Sequence, residues 1–409
     1  MKAGWQQRQI GEICEVVNGG TPKTGIAAYW GGPHQWITPA EMGKRNSPYI
    51  NETERTLTDT GLANSSARLL PPYSVILSSR APIGYLVINT EPMATNQGCK
   101  GLIPSRLIDH KFLYYYLSSI SDLLNDLGTG ATFRELSGGK LKEVTVPFPS
   151  LPEQQRIVAI LDEAFAAIAT AKANAEKNLK NAQDLLKGHL NDLFCHREVE
   201  WVEKRLGDIS RISYGFTESA SFEKIGPQFL RITDISDSGV DWGTVPYCPI
   251  DASVLSKYRL VEGDIVFART GATTGKSYLV SNPPESVFAS YLIRVQLRDK
   301  ELMPQFLNLF FQTKQYWDTI YAGVSGSAQG GFNAKKLGDL LIPFPKSSKE
   351  QMTIVAQFDK LTAEVQRFAR LYERKLSSLE MLKKSLLHRA FNGQLTAQVT
   401  DRAFAEAAL

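Results

Sequence analysis

Apolar residues recur at alternating intervals of three and four along two long stretches of the chain. The first stretch begins after Pro152 and continues to Leu193, and the second runs from Val355 to Ala390. Spacing of this kind, sustained over several heptads, is typical of a coiled-coil helix. It predicts two long helices, over residues 152–197 and 349–393.

The predicted helix-pairing residues are the apolar side chains at these seam positions. In the first helix they are Val158, Leu161, Phe165, Ile168, Leu179, Leu186 and Leu193. In the second helix they are Val355, Phe358, Val365, Tyr372, Leu376, Leu379 and Leu386. Because two similar units most often pair around a two-fold axis, we expect the helices to form an antiparallel coiled coil.

The region before each helix has a different pattern, with short apolar runs separated by Gly, Pro and Asn. Residues 74–77 and 85–88 read as strands, and residues 265–267 and 278–280 match them later in the chain. Residues 112–117 and 306–311 each read as a buried helix. Both regions are therefore predicted to be α+β.

The chain is an internal duplication. The pattern around Trp5 reappears at Trp201, and Lys140-Leu141 reappears at Lys336-Leu337, each 196 residues later (201 − 5 and 336 − 140). The duplication predicts α+β domains over 1–151 and 198–348, the two helices, and a tail over 394–409. Two heads on a stiff spacer suit a reader of a two-part DNA site.

Composition bears on three properties of the protein: DNA binding, metal binding and location. The net charge of +4 comes from 46 Lys+Arg against 42 Asp+Glu, which neither requires nor excludes DNA binding. The four cysteines and five histidines lack the spacing of a zinc site, so we expect no metal site. The N-terminus lacks an apolar signal core and no apolar run is as long as a membrane span, so the protein is expected to be cytoplasmic.

Three stretches resemble enzyme motifs but fail on chemistry or spacing. Residues 269–277 (RTGATTGKS) have three residues between Gly271 and Gly275, where a phosphate-binding loop needs four. This stretch is predicted to be a strand-to-strand loop. Residues 70–73 (LPPY) lack the polar first residue that an amino-methyltransferase uses to hold its target. Residues 126–130 (DLGTG) follow a predicted helical stretch over 112–126, where a cofactor loop should follow a strand. No catalytic residue is assigned.

Several motifs together resemble the specificity subunits of type I restriction–modification systems, over nearly the whole chain. They are residues 18–22 (NGGTP), 29–32 (YWGG), 36–39 (WITP), 229–235 (FLRITDI), 239–242 (GVDW), 146–149 (VPFP) and 151–157 (LPEQQRI). The second junction departs from the pattern, because residues 346–349 (KSSK) replace the usual Pro-Leu-Pro, and its helix start is expected to differ.

The resemblance implies a non-catalytic protein with two target recognition domains. Each would read one half of a bipartite, asymmetric double-stranded DNA target in the major groove. The helices would set the spacer length and bind two methyltransferase (M) subunits. The cofactors would belong to partners: S-adenosylmethionine to the M subunits, and ATP and magnesium to two restriction (R) subunits.

The candidate DNA-contact residues are loop side chains able to hydrogen-bond to bases or phosphates. In the first domain they are Lys23, Thr24, Arg80 and Arg134; in the second they are Arg269, Thr270, Lys276, Ser325, Ser327, Gln329, Asn333 and Lys335. Trp5, Trp36, Trp201 and Phe229 are instead predicted to be core residues.

Two other functions stay open. One is an ATPase that uses the loop at 271–277, and the other is a structural coiled-coil protein whose heads do not bind DNA. Basic residues on the second helix, such as Arg367 and Lys384, fit a solvated face as well as a partner contact.

Overall fold

The computed structural model describes residues 4–45, 47–130, 134–196, 200–236, 239–298, 300–325 and 331–396, and for Ser325 the backbone alone. The chain falls into two compact units, Met1–Ala175 with Arg374–Leu409 and Glu176–Glu373. The division passes through both long helices, so each unit contains one head and a part of each helix. We call residues 4–150 the first head and residues 200–347 the second head.

The first head is built from short strands. They are β1 (Gln6–Gln9), β2 (Cys14–Asn18), β3 (Trp30–Ile37), β4 (Tyr49–Ile50), β5 (Arg55–Leu57), β6 (Val75–Ser79), β7 (Ile83–Asn89), β8 (Met93–Thr95), β9 (Cys99–Pro104) and β10 (Thr145–Phe148). One sheet has the order β2-β9-β6-β7-β4, a second has the order β5-β3-β8, and β1 pairs with β10.

The helices of this part of the chain are mostly short. They are α1 (Ile10–Ile13), α2 (Pro39–Met42), α3 (Asp59–Ala63), α4 (His110–Ser119), α5 (Ser121–Asp126), α6 (Gly138–Glu143) and the long α7 (Leu151–Cys195). The chain breaks helical geometry at Ile120, which has a ψ of 22°. The helical stretch expected over 112–126 therefore consists of two helices, α4 and α5, that meet at Ile120.

The second head is also built from short strands. They are β11 (Trp201–Arg205), β12 (Ser210–Tyr214), β13 (Gln228–Leu230), β14 (Ile235–Ser236), β15 (Gly239–Val240), β16 (Ile265–Ala268), β17 (Ser277–Leu279), β18 (Ser286–Phe288), β19 (Leu292–Leu297) and β20 (Leu341–Pro345). The main sheet has the order β12-β19-β16-β17, and the pairs are β13-β18, β14-β15 and β11-β20.

The helices of the second half follow the same order as in the first. They are α8 (Leu206–Ile209), α9 (Ala252–Tyr258), α10 (Pro304–Phe310), α11 (Lys314–Ser325), α12 (Ala334–Gly338) and the long α13 (Ser348–Phe391). The predicted α+β class and the two long helices are confirmed. The unusual second junction starts its helix at a position equivalent to the first, where the Ser347 hydroxyl accepts a hydrogen bond from the Glu350 N–H at 3.4 Å.

A buried glutamine fixes each long helix to its head. In the first unit the Gln154 amide donates to the carbonyl oxygens of Leu107 and Pro149, at 3.0 and 2.9 Å. In the second unit the Gln351 amide donates to the carbonyl oxygens of Glu301 and Pro345, at 2.6 and 2.8 Å. Because these bonds join the helix start to two separate segments of the head, they restrain the direction in which the helix leaves it.

Apolar packing joins both long helices to the head within each unit. In the first unit, Leu161 of α7 and Leu387 of α13 lie in the same core cluster as Phe112 of α4. In the second unit, Phe194 and Phe358 share a core with Phe306 of α10. Burying several such side chains, each worth about 1.5–3 kcal/mol, is the main force that holds helix and head together.

The two long helices pack against each other, as predicted. In the first unit, Lys383 lies over the ring of Phe165 at 5.4 Å and Lys172 pairs with Glu380 at 3.3 Å, so the helices there run antiparallel. In the second unit, the His189 ring stacks on Phe358, with 5.2 Å between the ring centroids. All the predicted helix-pairing residues are buried or half-buried, as a seam requires.

Candidate nucleic-acid interface

A cluster of charge lies at the end of β6 in the first head. Arg80 follows the strand and lies 3.7 Å from the carboxylate of Glu135, and Lys100 of β9 lies 3.8 Å from the other oxygen of that carboxylate. The hydrogen bond from the Leu136 N–H to the Ser79 carbonyl, at 2.9 Å, brings these segments together. Two cations therefore share one anion, which leaves a net positive charge.

Lys100 is the member of this cluster that the sequence did not reveal. Its side chain is only 7% exposed, and burial lowers its pKa, while the nearby Glu135 carboxylate acts in the opposite direction. A desolvated ammonium group interacts more strongly with an anion than a solvated one does, because the local dielectric constant is lower. The site is thus suited to bind a phosphate oxygen.

Arg134 lies close to this cluster in sequence but is more exposed. Its guanidinium is 4.0 Å from the carboxylate of Asp126 and 3.5 Å from the carbonyl oxygen of Asn125. The Lys140 ammonium donates to the Leu127 carbonyl at 3.0 Å and closes the end of α5. The residues before Arg134, 131–133, lie outside the described part of the chain.

Arg269 and Thr270 hold the matching place at the end of β16 in the second head. The Arg269 guanidinium lies 5.0 Å from the ring centroid of Tyr214. The Tyr214 hydroxyl accepts a hydrogen bond from the Ala334 N–H at 3.1 Å, which brings the start of α12 beside Arg269. The structure therefore brings two of the predicted contact segments together.

The residues around α12 divide into two groups. The side chain of Asn333 accepts a hydrogen bond from the Lys336 N–H at 2.9 Å, so it caps the helix. Lys335 is exposed. Ser327 and Gln329, and the side chain of Ser325, lie outside the described residues.

The loop between β16 and β17 is not a phosphate-binding loop. The N–H groups of Thr274 and Lys276 donate to the carbonyls of Gly271 and Thr273 at 3.2 and 2.9 Å, within the loop itself. Because these donors are used internally, they cannot wrap a phosphate, and β17 follows where a P-loop has a helix. The predicted strand-to-strand loop is confirmed.

Lys276 lies away from Arg269, toward the long helices. It lines an open groove of about 830 Å³ in the second unit, together with Trp317, Leu186 and Phe358. In the first unit, Tyr115 and Phe165 are in ring contact at the corresponding place, with 5.4 Å between centroids. Leu309 and Thr362 replace them in the second unit and leave the groove open.

Lys23 and Thr24 are both exposed in the loop before β3. The indole N–H of Trp30 donates to the Lys23 carbonyl oxygen at 3.4 Å. The guanidinium of Arg55 lies over the Trp30 ring, 3.7 Å from its centroid. Sequence reasoning missed Arg55, because its relation to Trp30 depends on the pairing of β3 with β5.

The four aromatic residues predicted to be core residues are all buried or half-buried. Trp36 is 2% exposed and Phe229 is 3% exposed, and Trp5 and Trp201 pack half-buried against the cores of their heads. Within the described residues, no cluster of three or more His, Cys, Asp or Glu could hold a metal ion. None of the helices in the same part of the chain has an apolar stretch that could cross a membrane.

Comparison with known proteins assigns the duplication to one family. The family described as the type I restriction modification DNA specificity domain matches the chain twice, over residues 2–181 and 198–371. The specificity subunit of type I restriction enzyme MjaIX from Methanocaldococcus jannaschii is 37% identical over 289 residues, 65% of this chain and 66% of that protein. The match therefore spans just under two thirds of that relative.

More distant proteins cover more of the chain. The EcoKI specificity subunit from Escherichia coli K12 is 24% identical over 374 residues, 85% of this chain and 80% of that protein. A solved chain from a study of complex assembly and conformational transition of the type I R-M system has a TM-score of 0.80. That similarity covers 97% of this chain and 99% of the other at 19% identity, and it shows a common fold.

Proposed function

We propose that each head reads one part of a two-part DNA target, because the chain belongs to the type I restriction–modification DNA specificity family. The target is an asymmetric duplex whose bases are read in the major groove. The observation that supports this most directly is the duplication itself. The heads share a framework, including the Gln154 and Gln351 attachments, but differ in their loops and small sheets. Different loops on one framework suit two different half-sites.

The candidate contacts form two centres, one in each head. In the first head, Arg80 and Lys100 bind phosphate and Arg134 extends the contact. In the second head, Arg269 reads a base, with Tyr214 holding its guanidinium. Thr270 follows Arg269 in the chain, and Lys335 belongs to α12, whose first N–H donates to the Tyr214 hydroxyl. An Arg269→Ala variant is expected to lose about 1–3 kcal/mol of discrimination at one base pair.

The long helices form the spacer between the two heads, and they also form the docking surface for other subunits. We propose two methyltransferase subunits, which supply S-adenosylmethionine, and two restriction subunits, which use ATP and magnesium. This chain then contributes specificity and no catalytic group, and it acts in the cytoplasm. In this scheme residues 1–151 and 198–348 are the recognition domains, 152–197 and 349–393 are the spacer helices, and 394–409 is a tail.

The test is a map of N6-methyladenine by single-molecule sequencing in the native host, with and without this gene. We expect one two-part motif to lose its methylation on deletion, which also gives the target and the spacer length. A host whose methylation pattern is unchanged, together with no DNA binding by the chain co-expressed with its neighbouring genes, would refute the proposal.

The ATPase alternative has a specific weakness in the loop at 271–277, because the N–H groups of Thr274 and Lys276 donate to carbonyls of the loop itself and that of Gly275 donates to the Ala268 carbonyl. ATP binding that is abolished by Lys276→Ala would nevertheless support it. The structural alternative requires heads that bind no DNA, and the same co-expression experiment decides that question.

A further inference from the structure

We infer that Arg55 is a specificity-determining residue of the first head and reads a guanine from its place on the ring of Trp30. The inference rests on the proposed function and deepens it. It adds to the contact centres a residue that neither the sequence pattern nor the family match indicates. Its basis is the contact between the Arg55 guanidinium and Trp30, at 3.7 Å from the ring centroid.

The stack under Arg55 is anchored in the core. Trp36 is 2% exposed, and its indole N–H donates to the Gly20 carbonyl oxygen at 2.9 Å. Trp30 stands edge-on to Trp36, with 5.0 Å between centroids and 80° between planes. Arg55 is paired across the strands with Trp36 and also lies 5.2 Å from its ring. The buried Trp36 thus holds the Trp30 ring in place, and the Trp30 ring in turn holds the Arg55 guanidinium.

This arrangement leaves the donor edge of the guanidinium available. Within the described residues, no oxygen accepts a hydrogen bond from the Arg55 side chain, which is exposed. Two other arginines of the same head are engaged by carboxylates: Arg45 with Glu41 at 2.7 Å and Arg68 with Glu15 at 3.2 Å. A ring holds the plane of a guanidinium without using its N–H groups.

The position of Arg55 in the fold supports a role in reading. Trp30 also contacts the loop at Lys23 through its indole N–H, so Arg55 is next to a loop already proposed to contact DNA. The strand β5 that carries Arg55 lies at the edge of its sheet. In the second head, Phe229 occupies the position of Trp36 on the corresponding parallel strand pair. The two tryptophans under Arg55 therefore lie at a place where the two heads differ, since the second head has Phe229 where the first has Trp36.

The chemistry of a planar fork selects the base. Two parallel N–H donors match the O6 and N7 acceptors that guanine presents in the major groove. A lysine ammonium keeps the charge but not the fork, so it can replace an arginine at a phosphate more readily than at a guanine. The substitutions Arg55→Ala and Arg55→Lys therefore separate the two kinds of contact.

The experiment uses this chain in complex with the methyltransferase subunits of its host. Once the methylation motif is known, binding is measured to duplexes in which each base pair of the target is changed in turn. The proteins are the wild type, Arg55→Ala, Arg55→Lys and, as a matched control, Arg106→Ala, which removes another exposed arginine of the first head.

The expected wild-type result is discrimination of about tenfold to a hundredfold for guanine at one position of one half-site. Both Arg55 variants should lose most of that discrimination and keep every preference of the other half-site, which also shows that they are folded. Arg106→Ala should match the wild type.

Two results would overturn the inference while leaving the proposed function intact. One is an Arg55→Lys variant that retains the wild-type preference. The other is an Arg55→Ala variant whose affinity either stays unchanged or falls equally for all sequences, since the latter indicates a phosphate contact. A wild-type complex with no two-part preference would overturn the proposed function and this inference with it.

Discussion

The side-chain oxygen of Gln154 accepts a hydrogen bond from the backbone N–H of Asp109 at 2.8 Å. Asp109 is the N-cap of α4, so the first residues of the long helix α7 are bonded directly to the cap of the helix that lies beneath them. In the second unit, Gln351 accepts from the N–H of Met303, the N-cap of α10, at 2.8 Å. One uncharged, fully buried side chain therefore restrains the direction of each long helix.

Replacing Gln154 with leucine should destabilise the first unit by at least about 3 kcal/mol. The substitution leaves one N–H and two carbonyl groups of the backbone without their partner, at about 1–3 kcal/mol for each group that stays buried. Urea denaturation measures the effect, and Gln155→Leu is the matched control, since Gln155 is exposed on the next position of the same helix. Equal stabilities for the two variants would contradict the role given to Gln154.

The first unit has a polar contact that the duplication did not preserve. The Tyr115 hydroxyl donates to the carboxylate of Asp162, which also pairs with Lys111 at 2.7 Å. In the second unit the corresponding carboxylate, Asp359, is exposed, and Leu309 has no hydroxyl to donate. Because the two units differ at this contact, Asp359 of the second unit can serve as a control for Asp162 of the first.

Asp162→Asn should cost about 1 kcal/mol, because the side chain is partly exposed and solvent screens the ion pair. Asp359→Asn should change the free energy of unfolding by less than about 0.5 kcal/mol, as surface substitutions usually do. Chemical denaturation of both variants tests the comparison. A larger loss for Asp359→Asn would show that the two units are more alike than their contacts indicate.

Periodicity made the long helices and the α+β class predictable. Seam residues such as Leu161 and Phe358 repeat at helical spacing, and that spacing depends only on local sequence. Gln154 lies in the motif at 151–157, and Gln351 lies at the equivalent place 197 residues later (351 − 154), yet their function could not be read from the sequence. Their partners, such as Asp109, lie 45 residues away along the chain, and only the folded backbone brings them together.

The candidate interface was less predictable for a related reason. Loop position identified Arg80 and Arg269, but charge and loop position do not reveal which cations share a carboxylate. Lys100 lies inside β9, a strand that the sequence pattern did not predict, so nothing marked it as a candidate. Arg55 depends on a cross-strand pairing whose register shifts between Trp30 and His34, so its neighbour could not be found by counting residues.

Glu135 should act as a competitor of DNA in the first head. Its carboxylate neutralises one of the two charges of Arg80 and Lys100, at 3.7 and 3.8 Å. In a complex with the methyltransferase subunits, Glu135→Gln should raise the affinity for any duplex several-fold. The slope of log affinity against log salt should steepen by about 1, since one more phosphate is neutralised.

The matched control is Glu143→Gln, which removes an exposed carboxylate of the same head. It adds the same net charge without releasing Arg80 or Lys100. Equal gains for the two variants would show that net charge is sufficient and that the cluster has no special part in binding. A loss of affinity in Glu135→Gln would show that the carboxylate positions the cations.

The stability of the first unit should fall as the pH drops below about 6.5. Burial lowers the pKa of His110 from its ordinary value of 6.5, and the neighbouring Lys111 acts in the same direction, while Asp109 opposes them. The unfolded chain therefore takes up a proton at a higher pH than the folded chain does. Stability is complete above the unfolded pKa and is lost as the pH falls toward the folded one. His110→Gln removes this group, so thermal unfolding between pH 7.5 and 5.5 should show a smaller loss in the variant. The same loss in both proteins would mean that other groups, and not His110, carry the pH dependence.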